Sequence, residues 1–453
     1  MPSIFISSFH PLISRNILGT TVIDQVLVAR PESTVVILCP ERKKPYFERE
    51  YAGERVLIRG ISARLTRRDL ILRTLVLSAL RTRALSIKRA AELSGRGAWL
   101  SRVLSNRVAH ALVRALSRMF TPRFPFDALL REFRPALVFS TDVQNEHDVR
   151  LMHAARGLSI PIVGMVRSWD NLTAKGLLRV VPDRLVVHND IIAREATVLH
   201  GIAPQRVGVV GIPHYDGYAR YREHVSTGAT RAVFLRELGF DPGTHVVLFA
   251  PVGDRYVAAR HAIDQHCIAL LDSCLPDTAL LFVRLPIADE VAGVRPGRFG
   301  RVVVERGGSG LGHVKNTELS RADDVRLAQT LAAADVVVAG PSTICVDAAF
   351  FDKPIVLVGF DGTDAAALPY QESVRRFYDY EHFSAVLESG GVMFAKSEGE
   401  LCGAVRTALS DPARGHEGRE RLAREEAYRL DGRASERLAG VLQGFCPINN
   451  SPA

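Results

Sequence analysis

The chain has 453 residues, of which 47% are apolar and 24% charged, and carries a formal net charge of +9. That length accommodates two domains of roughly 200 residues each, and the balance of apolar to charged residues excludes a disordered or fibrous protein. No apolar run approaches the ~18 residues that span a bilayer, and the opening "MPSIFISSFHPLI" lacks the basic stretch of an export signal, so a cytoplasmic protein is expected. The six cysteines (Cys39, Cys267, Cys274, Cys345, Cys402, Cys446) are scattered without a CxxC pair, which fits reduced thiols rather than disulfides or a zinc site.

Along the chain, short β-branched runs alternate with helical stretches, the pattern of βα units in parallel sheets. In the first half, strands are expected at 3–9, 34–40, 55–60, 136–140, 162–166, 184–188 and 206–211. Their apolar character on both faces requires helices on both sides of the sheet. The first strand ends in "SSFHP", which places His10 at its carboxyl end. "STDVQNEHD" (140–148) follows another strand and presents Asp142. Glu146, His147 and Asp148 beside it are adjacent residues, which do not converge easily on one ion, so a metal reading is rejected.

Between Arg55 and Arg123 there are sixteen Arg or Lys against two acids, Asp69 and Glu92, so this block carries all of the excess positive charge. Residues 61–123 interleave Arg with Leu, Ile, Val and Ala at helical spacing. That suits a helix lying in an anionic membrane interface. A solvated helical insertion with its apolar face on its own domain is the alternative. Nucleic acid is not expected, because stacking aromatics are nearly absent there.

Next comes "SWDNLTAKG" (168–176), with Trp169, Asp170, Asn171 and Lys175. The polar, turn-rich stretch 212–244 then reads as a connection between two domains. Beyond it, strands are expected at 245–251, 279–286, 301–305, 335–340 and 355–359. "VVLFAPVGDRY" (246–256) offers Gly253 and Arg255, the latter with the fork that binds phosphate through two parallel hydrogen bonds. A solvated loop charge is the other reading of Arg255.

"ADVVVAGPSTICVDAAFFDKPIVLV" (334–358) reads as strand, tight turn, helix and strand. Ligands of open α/β sheets bind beyond strand carboxyl ends, where helix N-termini present free amides. Gly340 permits close approach, Pro341 opens the helix without losing a needed donor, and Ser342 and Thr343 add hydroxyls suited to phosphate. Asp347, one turn on, suits a ribose diol. Alternatively Ser342 or Thr343 only caps the helix and Asp347 is solvated. The tail from about 417 has helical spacing and predicts a C-terminal helix.

This last segment resembles the nucleotide-binding element of GT-B glycosyltransferases, and most closely the CDP-glycerol glycerophosphotransferase-like branch. "SWDNLTAKG" sits where that branch carries a Trp-His-Gly-Thr segment ending in Lys and Gly. "VHNDIIAREATVLHGIAPQRVGVVGIPHYDGY" (187–218) is similar to its "Gly-x-Pro-x-x-Asp" exit, "VVLFAPVGDRY" to its first donor-domain strand, and "LDGRASERL" (430–438) to its terminal segment. The resemblance implies an α/β GT-B fold, two Rossmann-like doubly wound domains facing across a cleft. The expected limits are 1–215 for an acceptor domain with the basic insertion 61–123, 216–240 for a linker, 241–415 for a nucleotide-donor domain, and 416–453 for a C-terminal helix and tail.

The function so implied is a metal-independent, inverting glycosyltransferase. It would move a sugar from a nucleotide-activated donor to a glycan or lipid-linked acceptor in surface polysaccharide or glycolipid assembly, on the inner face of the cell membrane. No cofactor or metal is expected, and the chain has no Asp-x-Asp pair. The resemblance assigns the base to the residue after Trp169, here Asp170 in place of the family's His. His10 and Asp142 are the further candidates. Trp169 reads as core aromatic or acceptor platform, with Asn171 and Lys175 on the acceptor side. Donor contacts fall to Gly253, Arg255, Gly340, Pro341, Ser342, Thr343 and Asp347. Alternatives are a CDP-glycerol-type transferase, a non-hydrolysing UDP-sugar 2-epimerase-like enzyme, and a non-enzymatic basic protein that binds nucleic acid or membrane.

Overall fold

A computed structural model describes residues 2–92, 96–225, 229–254, 256–257, 261–287, 289–310, 317–362 and 368–445. The chain divides into two compact units, Met1–Asp216 with Asp431–Ala453, and Gly217–Leu430.

The first unit holds a seven-stranded parallel sheet. Its strands are β1 (Ser3–Ser7), β2 (Thr34–Pro40), β3 (Val56–Ile61), β4 (Leu137–Ser140), β5 (Ile162–Met165), β6 (Arg184–Val187) and β7 (Val207–Val209), in the spatial order β3-β2-β1-β4-β5-β6-β7. Ile4 of β1 pairs with Val35 on one side and Leu137 on the other. Every residue of β1, β4 and β5 is buried, as their unbroken apolar runs require of a doubly covered sheet. The chain runs outward from β1 to β3, then crosses back to lay β4 against the other side of β1. Strand order thus reverses between β1 and β4, and the carboxyl ends flanking such a reversal are where open α/β sheets bind ligands.

The basic block between β3 and β4 folds as helices Arg67–Ser78, Arg83–Glu92, Arg96–Leu104 and Arg107–Phe120. Thr66 and Asp69 form a reciprocal cap on the first of these, and Asn106 caps the last through Ala109 N at 2.9 Å. Val76, Leu85 and Val113 of these helices are buried in one cluster with Leu80, from the first connection, and Leu177. Two short sequence motifs meet at the end of this unit. The Asp216 carboxylate accepts the amides of Ala434 (2.8 Å) and Ser435 (2.7 Å), opening the helix Ala434–Phe445. That helix packs on the helix Val22–Ala29.

The second unit holds β8 (His245–Ala250), β9 (Ala279–Leu285), β10 (Gly297–Phe299), β11 (Val302–Arg306), β12 (Val336–Ala339), β13 (Ile355–Val358) and β14 (Val392–Ala395), ordered β10-β11-β9-β8-β12-β13-β14. All pairs are parallel except β10 with β11. Val247, Phe249, Leu281, Val338 and Val356 anchor its core. Here the reversal of strand order falls between β8 and β12.

Three expectations change. β10 and β14 have no counterpart in the sequence reading: β10 is three exposed residues, and β14 is a half-buried edge. The stretch expected as a turn-rich connection carries the helices Tyr215–Val225 and Ala229–Glu237. The tail is two helices, His416–Ala427 in the second unit and Ala434–Phe445 in the first.

Candidate functional site

The strand-order reversal of the first unit gathers chemistry from three strand ends. His10 follows β1, where its Nδ1 accepts the Leu12 amide at 3.2 Å and opens a short turn. Asp142 follows β4, and Arg167 follows β5. Arg167 Nε donates to Asp142 Oδ2 at 2.8 Å, and its Nη1 lies 2.9 Å from His10 Nε2. Asn171 Nδ2 is 3.4 Å from Asp142 Oδ1. Asp170 precedes the helical turn Asn171–Ala174 without capping it, and Lys175 closes that turn. Of the six residues expected in this unit's site, His10 and Asp142 are thus joined through Arg167, and Asn171 reaches Asp142 directly. Asp170 and Lys175 stand on the same short segment. Trp169 is only 9% exposed and reads as core.

The electrostatics divide these groups by role. Burial would raise the Asp142 carboxyl, but the charges of Arg167 and Lys175 outweigh it and hold it below the ordinary carboxylate range. Burial and the Arg167 guanidinium bring His10 down to about 3, so the ring is neutral near pH 7 and a weak base. The Lys175 ammonium is lowered by burial, against the pull of Asp142. Beneath them, Asp148 accepts from Ser7 Oγ and from Ser140 Oγ (2.9 Å), and burial followed by the Asp142 charge pushes it up to about 7. Ser8 Oγ, Gln144 Oε1, Asn171 Oδ1 and Asp148 Oδ2 are buried and have no hydrogen-bond partner among the described residues. All four lie at this carboxyl edge, so hydrogen-bonding capacity is left over where a ligand of an open sheet would sit.

The glycine that ends "SWDNLTAKG" has a packing cause. Gly176 has φ +84°, and a Cβ there would stand 2.6 Å from Val76 O, on the first helix of the basic insertion. Leu177 N donates to the same oxygen at 3.0 Å. Glu146, His147 and Asp148 point to separate partners: Arg179, the Phe9 ring (5.1 Å) and the two serines. Among the described residues no three His, Cys, Asp or Glu side chains come together as metal ligands do.

In the second unit, the loops after β8 and β12 touch. A Cβ on Gly340 would stand 2.1 Å from Val252 Cγ2, so glycine is demanded by the chain's own neighbouring loop. Pro341 and Ser342 are half-buried and Thr343 is exposed, while the helix Ile344–Phe350 is wholly buried. Thr343 makes no side-chain cap bond. Ser342 Oγ reaches only to 3.5 Å from Ile344 N. Asp347 is 6% exposed, so it is not the solvated acid of the alternative reading. The amides of Val252 and Gly253 are already taken by the Asp264 carboxylate, at 2.9 and 2.8 Å. Arg255 lies outside the described residues.

Sequence reasoning missed Arg167 and Asp264. Arg167 left a signal, a basic residue directly after an apolar strand run. Asp264 left none, because its role arises only from the fold of a loop eleven residues upstream.

No family model and no curated protein sequence matches the chain. Solved structures do. A UDP-GlcNAc 2-epimerase from Neisseria meningitidis, bound to UDP-GlcNAc, has a TM-score of 0.55 at 12% identity over 98% of this chain and 100% of that one. The UDP-GlcNAc 2-epimerase of Methanocaldococcus jannaschii gives 0.52 at 10%, over 98% and 99%. The glycotransferase of kitacinnamycin gives 0.51 at 15%, over 98% and 100%. At such identities the likeness defines architecture: the chain has the α/β GT-B fold, built of two Rossmann-like units.

Proposed function

We propose that the protein is a metal-independent, inverting glycosyltransferase. It takes a sugar from a nucleotide-activated donor to a hydroxyl of a glycan or lipid-linked acceptor, in surface polysaccharide or glycolipid assembly. The observation that carries this reading is the joining of His10, Asp142 and Arg167 across three strand ends, with Asp170 and Lys175 beside them. The GT-B fold and the UDP-GlcNAc bound by the epimerases of Neisseria meningitidis and Methanocaldococcus jannaschii support it.

In this mechanism Asp142, kept ionised by Arg167, orients rather than abstracts. His10 is too weak a base to lead. Asp170, half-buried at the start of its helical turn, takes the acceptor proton. Lys175 and Arg167 hold the acceptor's polar groups. Ser342 and Thr343, at the strand reversal of the second unit, receive the donor's phosphates as charge develops on the leaving group. Asp170→Asn should lower turnover by roughly 10²-fold or more while nucleotide affinity holds. Near-normal turnover removes Asp170 as the base.

Two other activities share this architecture. A CDP-glycerol-type transferase would use CDP-glycerol as donor. An epimerase-like enzyme would convert UDP-GlcNAc with no acceptor present, and the epimerases among the structural neighbours favour testing it. Incubation of each donor with and without acceptor separates the three.

The insertion supplies a membrane contact. The helices Arg67–Ser78 and Arg107–Phe120 bury one face and leave Leu70, Ile71, Val108 (81% exposed), Leu112 and Met119 (67%) in solvent among Arg67, Arg68, Arg73, Arg107 and Arg118. Exposed apolar and basic side chains along these helices fit an anionic leaflet, at roughly 1 kcal/mol per basic group near the surface. The protein should float with phosphatidylserine vesicles at low salt and not with neutral ones. Failure to float with either sinks the membrane contact.

A further inference from the structure

Inside the basic insertion, an open cavity of about 660 Å³ lies against the helices Arg83–Glu92 and Arg96–Leu104. Arg81, Arg83, Arg89 and Arg102 line it together with Thr82, Ser86 and Ser101, and none of its described lining residues is acidic. Its volume falls within the range of small-molecule sites. The floor is preformed. Arg89 is 6% exposed, and its guanidinium is held by Leu77 O (2.8 Å), Leu80 O (3.1 Å) and Ser86 Oγ (3.3 Å). Arg81 Nε reaches Ser101 O at 3.4 Å and ties the two walls. The Arg89 guanidinium is thus fixed beneath the arginines of the rim, and their positive charges converge on one open space.

The geometry points to a binding site for a phosphate or diphosphate monoester. Guanidinium forks match phosphate oxygens in pairs, and the N-terminal turn of the helix Arg83–Glu92 adds its partial positive charge. The cavity is braced against the candidate site: Thr82 Oγ1 donates to Thr173 O at 2.6 Å, and Lys88 Nζ to Ala174 O at 2.9 Å. Those carbonyls belong to the turn between Asp170 and Lys175. The bound group is therefore the phosphate or diphosphate of the acceptor, a role that rests on the transferase reading, whereas anion binding itself does not.

Calorimetry on the full chain, in excess UDP to fill any donor site, tests this with inorganic pyrophosphate and with farnesyl diphosphate. The variant Arg81→Gln/Arg83→Gln/Arg102→Gln should lose about tenfold or more in affinity for both while thermal unfolding still shows a folded chain. Arg67→Gln/Arg68→Gln/Arg73→Gln, with equal charge loss on another helix, should keep it. Should the first variant melt early, Arg102→Gln alone is expected to weaken binding in the same direction. Tighter binding of farnesyl diphosphate than pyrophosphate identifies a lipid-linked source, and equal binding a free diphosphate. Equal affinity of the parent and the first variant, or equal loss in both triple variants, overturns the site. The parent's response to UDP alone reports the donor reading separately.

Discussion

Asp148 shows how far one buried group can be argued from its surroundings. It sits under the carboxyl edge of the first sheet with one oxygen bonded by two serines and the other unpartnered among the described residues. Burial and the neighbouring Asp142 raise it to about 7, against an ordinary value near 3.8. Between those values the folded chain keeps a proton that the unfolded chain has released. Stability from this group is therefore complete below about pH 4 and is lost as pH rises through 7, at roughly 1.4 kcal/mol per pH unit. Asp148→Asn cannot titrate. Its stability relative to the parent should improve by roughly 2–3 kcal/mol between pH 5 and pH 8, read from denaturant unfolding at both. Parallel pH dependence in the two proteins would mean the carboxyl is ionised throughout. Nothing in "NEHDV" announces this role, because it depends on Ser7, 141 residues away. Asp142 and His10 were legible as polar groups at strand ends. Their pairing through Arg167 was not, since the pairing is a property of three strand ends brought together.

At the scale of elements, the two sheets repeat one arrangement, and the loops at the carboxyl ends of their central strands hold the candidate residues. Gly340 makes the packing at the second reversal testable. Adding a methyl there drives it into Val252, so Gly340→Ala should destabilise the protein by about 1–3 kcal/mol in thermal unfolding. Val252→Ala should restore most of that loss, because the clash is with the Val252 side chain. No rescue would mean that the turn itself cannot accept a Cβ. The strands with long β-branched runs were readable from sequence. β10 escaped because an edge strand needs no continuous apolar run, and β14 because its run, VMFA, is only four residues long with a single β-branched member. The helices Tyr215–Val225 and Ala229–Glu237 escaped because Gly, His and Tyr at the start of that stretch mimic turn composition. The segments "LDGRASERL" and "GIPHYD", far apart in sequence, meet in the first unit. Asp216 from one caps the helix begun by the other, so both serve the closing of the first unit.

At the scale of the whole molecule, a basic insertion and two Rossmann-like units divide the labour that the account assigns: anion and membrane contact, acceptor chemistry, and donor binding. The central claim is that a nucleotide-activated donor is bound by this chain. A thermal-unfolding screen against UDP, GDP, CDP, CMP and dTDP tests it most directly. One nucleotide present at about a hundred times its Kd should stabilise the parent by roughly 2.7 kcal/mol. Ser342→Ala/Thr343→Ala, which alters only half-buried and exposed hydroxyls, should keep the unliganded melting temperature and lose most of that shift. No stabilisation of the parent by any of the five would contradict the account.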